Sequence, residues 1–503
     1  MKTDVIRGFI SILGSKVATL FLGLLTTPIL VRLLGSSQYG DYAFLLSILG
    51  ITMVLINAGI FDGTRKYIAE DREDHNWTEH IFGFYFRIAV VLAIIGALAY
   101  GTVSWSGLTK QFLGDNFAIY FYLIGILIVG RQINSVARGG LMGLGLEERS
   151  EPLNILKKIL FAVSGLYLVY TGYGVVGVLL GHIISTSIVS ILALTILYKY
   201  IDFRLILTRL PERFPRDKLL SFNSLSIILI FLTASLYHID IIFLRLLTGN
   251  QATGYYKAAL GVAEFLWFVP NVLQMVLLHS SSELWSNNRI DRITTLASRT
   301  TRYNLSLVLL LMIGLAALAH DFIPIYYGPE FDAATLPLLL LLPGALGFAL
   351  ARPIFAIGQG KGQLRELIMA TGAASLVNVC LNALLIPFYD MVGAAIATSI
   401  GYGSMMMLHI FAAHRIGFNP VRDLRLIRVT TVAVIAAAII FGLSSAIHSS
   451  IISLIVVPPV GFIMYSILSL RLSVVSPEEI VLITQQLPAP VKLYTERIIR
   501  FIC

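Results

Sequence analysis

The feature that most constrains this chain is a succession of apolar stretches, each long enough to cross a bilayer. A span needs about 20 predominantly apolar residues. On that criterion the sequence predicts about fourteen, over 6–34, 41–61, 82–106, 117–139, 153–172, 174–198, 221–247, 255–280, 303–325, 335–357, 364–387, 392–413, 429–448 and 451–471. A bilayer offers no water to the backbone, so such spans fold as helices that close their own hydrogen bonds. The expected fold class is an all-α polytopic membrane protein. Composition agrees: 57% of residues are hydrophobic and 13% charged, where a soluble domain carries roughly 25% charged residues.

The formal net charge of +9 does not point to nucleic acid, because the basic residues lie between spans rather than in one patch. They concentrate in alternate loops, around 65–72, 149–158, 199–218, 289–302, 361–365 and 415–428. The intervening loops near 171, 326 and 388 are short and nearly free of Lys and Arg, with Lys110 and Lys257 as the main exceptions. The positive-inside rule then places both termini and every basic loop in the cytoplasm, at a cell membrane. Lys2 and Arg7 precede an apolar segment with no small-residue cleavage site, which reads as a first, retained span. Two cysteines, Cys380 and Cys503, give neither a disulfide framework nor metal-ligand spacing. No cofactor is expected.

The chain also repeats itself. VRLLGSSQYGDY at 31–42 returns as LRLLTGNQATGYY at 244–256, with Arg32 and Arg245 213 residues apart. The Ala-Arg pair at 137–138 returns at 351–352, and Gly177 returns as Gly393. Six spans before the basic segment 199–218 and six after it make two related halves running in the same direction. Substrate sites in transporters of that kind lie where the repeats meet. The expected domains are an N-terminal lobe 1–200, a basic linker 201–220, a C-terminal lobe 221–414, an extra pair of spans within 415–471 and a cytoplasmic tail 472–503. Ser476, followed by Pro477 and then Glu479, reads as a helix start with Ser as N-cap. Lys492, Arg497 and Arg500 alternate with apolar residues, which suits either a helix on an anionic membrane face or a frayed tail.

Ionisable groups inside spans are costly unless they face a cavity or a partner. Lys16 lies deep in the first span, with Thr19, Gly23 and Thr26 at helical spacing. Arg131, Asn134 and Arg138 fall at i, i+3 and i+7, on one helix face. Arg87 sits in the third span, and Arg352 is the second-half counterpart of Arg138. Lys257 and Glu264 are two turns apart on one helix, which allows a packing ion pair. Arg7, Arg32 and Arg245 lie near span ends and can snorkel; Arg138 and Arg352 are either interfacial anchors or cavity residues. His182, His238, His279 and His409 are scattered and read as packed or interfacial. A cavity lined by Lys16, Arg87 and Arg131, joined by Arg138 and Arg352, favours an anion, and guanidinium groups suit phosphate. Asp240 and Glu264 are the acids best placed to exchange a proton or sodium ion. No nucleotide-binding loop, zinc motif or nucleophile elbow occurs, and the loops opposite the basic ones are too short for a catalytic domain.

Four stretches resemble the polysaccharide and oligosaccharide-lipid flippases of the MOP exporter superfamily, O-antigen flippase type. They are TTPILVRLLGSSQYGDYAF (26–44), YHIDIIFLRLLTGNQATGYYKAA (237–259), IPIYYGPEFDAATLPLLLLLP (323–343) and NALLIPFYDMVGAAIATSI (382–400). The resemblance implies two six-helix lobes around a central cavity and alternating access. It implies a lipid-linked oligosaccharide, on a polyprenyl or dolichyl phosphate or diphosphate, moved between leaflets beside other glycan-assembly membrane proteins. It further implies that Lys16, Arg87, Arg131 and Arg138 hold the phosphate. The alternatives are a multidrug/cation antiporter of the same superfamily, whose site should be acidic and aromatic, and a membrane enzyme of glycan assembly, which should carry a large outside loop.

Overall fold

The computed structural model describes residues 2–476, except 58, 71, 73–75, 207, 213, 222 and 223, together with residue 479; side chains are described from Ser11 onward. The stretch 492–501, read as either a membrane-face helix or a frayed tail, lies outside the described residues. Among the described residues the structure is helical throughout, with no strand. That is the outcome bilayer physics requires of apolar spans without a closed barrel.

The chain forms two compact units, 1–254 and 255–503. The first contains α1 (Lys2–Asn57), α2 (Ile60–Ile68), α3 (Trp77–Trp105), α4 (Leu108–Leu113), α5 (Phe117–Gly143), α6 (Glu147–Leu168), α7 (Gly174–Leu197), α8 (Arg216–Ser221) and α9 (Ser224–Leu247). The unit boundary falls inside α10 (Asn250–Ala263). The second unit continues with α11 (Phe268–Ser286), α12 (Ile290–Tyr327), α13 (Thr335–Gly360), α14 (Leu364–Ile416), α15 (Leu426–Ala446) and α16 (Ser450–Arg471).

Eleven segments among the described residues are long and apolar enough to cross a membrane. Three of them contain a break. One lies at Gly35 in α1 (φ 68°, ψ 173°), one at the wide turn Val169–Tyr173 between α6 and α7, and one at Asp390 in α14 (φ 52°). Each arm beside a break still exceeds the roughly 20 residues that a span needs. Eleven such segments are described where about fourteen spans were expected, and three of the expected boundaries fall at these breaks.

In the first unit α5 is central, packing against α2, α3 and α7, while α6 packs against α1 and α7, and α1 against α9. The two copies of the repeated motif meet here. A Cβ added at Gly40 would overlap the carbonyl oxygen of Asn250, and one at Gly254 would overlap that of Ser36. Only glycine permits backbones this close. Beside this contact Arg245 Nε donates to Asp41 Oδ1 at 2.7 Å, with the two side chains only 12% and 15% exposed. Arg245 Nη2 donates to Leu113 O at 3.2 Å, and Asn250 Nδ2 to Asp41 Oδ2 at 3.4 Å. Arg245 is thus held by a partner 204 residues away rather than snorkelling.

In the second unit α13 packs against α11, α12 and α14, and the additional pair α15 and α16 docks on α12. That dock is apolar, with Leu305, Ile313, Val432, Ile440 and Val457 in one buried cluster. About a third of the way along α12 the Arg302 side chain is fully buried. It pairs with Glu479, and with Asp423 at 2.6 Å. Arg299 and Arg425 also approach Glu479, at 3.3 and 3.8 Å. The expected helix start forms as a reciprocal capping box: Ser476 N donates to Glu479 Oε2 at 2.9 Å, and Glu479 N to Ser476 Oγ at 3.4 Å.

Burial works against the charge on Glu479, but the Ser476 N–H and the guanidinium groups of Arg302 and Arg425 outweigh it and hold the carboxyl below its ordinary range. A carboxylate lowered on folding contributes stability that is complete above its unfolded pKa and is lost as pH falls through the folded one. This segment is therefore expected to stay docked at neutral pH and to loosen only on acidification below about pH 4. Limited proteolysis across pH 7 to pH 3 reads this directly; cleavage that rises toward alkaline pH would contradict it.

Candidate functional site

The turn at 144–146 ends α5 and starts α6 at Glu147, so the two helices present facing side chains. On α5, Arg131, Asn134 and Arg138 share a face, as their spacing predicts. On α6, Lys157 and Lys158 lie nearly three turns from the start, well inside the span rather than in a loop. Arg131, Arg138 and Lys158 all act electrostatically on Lys157, and Arg131 acts on Lys158. His182 of α7 feels Arg131, Lys158 and Lys157. Four cations from two helices are therefore gathered in one region.

The cluster has an aromatic wall. His182 stacks on Phe161 with ring centroids 4.1 Å apart, and its Nε2 lies 2.8 Å from the Tyr42 hydroxyl. The reading of His182 as a packed histidine fits that position. Arg138 lies over the Phe61 ring at 5.7 Å. Among the described residues, the carboxylate found against these cations is Glu151, whose Oε1 accepts from Arg138 Nη2 at 3.1 Å. Glu151 Oε2 accepts from Asn154 Nδ2 at 3.1 Å, and its main-chain oxygen from Ser15 Oγ at 3.3 Å.

Two buried donors on the α5 face, Asn134 Nδ2 and Arg138 Nε, meet no acceptor among the described residues. Buried polar groups are nearly always paired, so unfilled donors beside cations mark a place suited to anionic oxygen.

The other residues singled out from sequence are distributed differently. Lys16 is exposed on α1, next to Ser15, which reaches Glu151. The hydroxyls of Thr19 and Thr26 bond back to carbonyls of their own helix. Arg87 is engaged elsewhere: Nε donates to Gly83 O at 3.1 Å and Nη1 to Thr208 O at 3.3 Å, which ties α3 to the basic segment. Arg352 is buried in the second unit, over the Phe348 ring at 4.0 Å and 3.5 Å from Gln274 Oε1. Asp240 is fully buried in α9, its Oδ1 accepting from Ile241 N at 2.7 Å. Lys257 and Glu264 do approach, at 3.7 Å. His409 is packed, its Nδ1 2.9 Å from Met405 O.

Sequence reasoning missed Lys157, Lys158 and Glu151 as site residues. The available signal was the acidic pair Glu147 and Glu148 after a glycine turn, a helix-start pattern that moves everything after it into the span. Asn378 and Asn382 are fully buried amides one turn apart on α14, and their side-chain oxygens meet no donor among the described residues. Among the described residues, no group of three His, Cys, Asp or Glu is placed to hold a metal ion.

Apolar helices in two units, with cations gathered on two of them, define a multi-pass helical membrane protein with a charged internal site. The chain belongs to the polysaccharide biosynthesis protein family, whose profile matches residues 5–278. It is 22% identical over 486 residues to a probable low-salt glycan biosynthesis flippase, Agl15, of Haloferax volcanii, covering 93% of this chain and 96% of that one. Its fold is like that of a lipid II flippase, MurJ, in an inward closed conformation, with a TM-score of 0.73 at 16% identity over 92% of this chain and 98% of the other. An inward-facing multidrug resistance MATE transporter of the MOP superfamily gives 0.66 at 17% identity, over 80% and 98%.

Proposed function

We propose that this protein is a flippase that moves a lipid-linked oligosaccharide, carried on a polyprenyl or dolichyl phosphate or diphosphate, from one leaflet to the other by alternating access. The observation that carries the reading is the cluster of Arg131, Arg138, Lys157 and Lys158 with the unfilled donors of Asn134 and Arg138. Guanidinium and amide donors together match phosphate oxygens. The full-length relative named as a glycan biosynthesis flippase supports the same substrate class.

In this reading Arg131, Asn134, Arg138, Lys157 and Lys158 hold the phosphate, and Lys16 in the first unit and Arg352 in the second are further substrate-binding cations. Translocation makes and breaks no covalent bond, so the protein is not an enzyme. The repeat-related lobes 1–200 and 221–414 move as the alternating elements, and the termini and basic loops face the cytoplasm, as positive-inside asymmetry supports. Asp240 and Glu264 carry the coupling to a proton or sodium ion. Surrounding lipids and the membrane proteins that build and consume the glycan are the expected partners.

The test is leaflet exchange of a fluorescent lipid-diphosphate oligosaccharide by the purified protein in liposomes, read by access of a membrane-impermeant quencher. The expected result is protein-dependent exchange. No exchange of any lipid-linked phosphate, together with export of an organic cation, would overturn the reading in favour of the antiporter.

A further inference from the structure

The cation cluster contains a carboxylate whose position needs an account of its own. Glu151 is only 7% exposed and lies one α6 turn and a half before Lys157. Its bond to Arg138 uses Nη2 alone, and the buried Nε meets no acceptor among the described residues. A guanidinium that merely braced two helices would be expected to engage both nitrogens of its fork. Here the fork is half occupied, and Asn134 on the same face has an unfilled donor as well. Asn154 holds Glu151 from its own helix, one turn on, at 3.1 Å. The carboxylate therefore keeps a partner if Arg138 turns away.

Resting on the phosphate-site reading above, we propose that Glu151 is the resident counter-anion of the cluster. It occupies Arg138 while the site is empty, yields it to the incoming lipid phosphate, and takes it back as the phosphate leaves. Four like charges held together without an anion repel one another, and a resident carboxylate lowers that repulsion. The same carboxylate competes with substrate, so it weakens binding and speeds release. A site of four cations with no internal competitor would hold a diphosphate tightly and turn over slowly. Glu151 is thus a positioning residue that sets the balance between capture and release.

The test uses the full-length protein, with geranylgeranyl diphosphate as the binding probe in detergent and the liposome exchange assay for turnover. Glu151→Gln keeps the shape and a hydrogen-bond acceptor but removes the charge. It is expected to bind the probe about tenfold more tightly, the scale of a charged hydrogen bond removed from competition, and to exchange lipid more slowly. In an Arg138→Met background the same substitution should change affinity little, because the competition acts through Arg138. Glu151→Asp, which retracts the carboxylate by one methylene, should tighten binding to an intermediate degree and serves if the glutamine variant fails to fold.

A structural brace predicts something else, namely lower thermal stability with affinity and turnover falling together. That pattern, or unchanged affinity in a folded Glu151→Gln protein, would overturn the inference. The underlying site is judged separately: if Arg131→Ala leaves probe binding unchanged, it is the phosphate site that fails.

Discussion

Replacing Arg131 with alanine is expected to reduce lipid exchange by about 10- to 150-fold, from the roughly 1.5–3 kcal/mol that a hydrogen bond to a charged group contributes. Arg131 acts on Lys157, Lys158, His182 and Tyr42, so it is the cation these four groups have in common. Arg131→Lys retains the charge but not the fork, and should recover part of the rate. Arg87→Ala is the informative contrast. Its guanidinium is bonded to the carbonyls of Gly83 and Thr208, so its loss should weaken the hold on the basic segment more than it slows exchange. The liposome assay with all three variants, each checked for folding, decides the matter. Equal loss in Arg87→Ala and Arg131→Ala would mean that the phosphate path runs past α3 as well.

The second large effect is expected in the other unit. Arg302→Ala should lower the melting temperature by about 10 °C. Breaking one partner of a buried ion pair costs about 3–5 kcal/mol, and in a unit of this size each kcal/mol shifts the midpoint by roughly 2–4 °C. The low end applies, because Arg299 and Arg425 still approach Glu479 and Asp423 is partly exposed. Glu479→Gln in the same background should add much less than it does alone, since both substitutions cut one network. A shift under about 2 °C on thermal unfolding in detergent, the scale of an exposed pair, would show that water screens Arg302.

The fold class was legible because span length and hydrophobicity are local properties, and so was the Ser476–Glu479 capping box, closed over three residues. Arg131, Asn134 and Arg138 could be read as one face because α5 is continuous across them. Lys157 and Lys158 could not be read in the same way, because hydropathy begins the span at about 153 while the helix begins at Glu147. An amphipathic first turn is still helix, yet it carries no apolar signal. Arg87 and Arg245 were ambiguous for another reason. Their partners, Thr208 and Asp41, are 121 and 204 residues away, and no local pattern says which carbonyl or carboxylate the fold will bring. The number of spans depended on Gly35, the turn Val169–Tyr173 and Asp390, where one continuous helical stretch holds two arms.

The contact between the two repeated motifs also bears on how such a chain can diverge. Where Gly40 meets Asn250 and Gly254 meets Ser36, neither copy can acquire a side chain unless the other moves its backbone. Drift in one half is therefore checked by the other at these positions, while lipid-facing positions are free to change independently. If the two motifs arose by duplication, their likeness should fade last where they touch. On this view, the turn sequences at 31–42 and 244–256 still resemble each other because each is part of the other's steric environment.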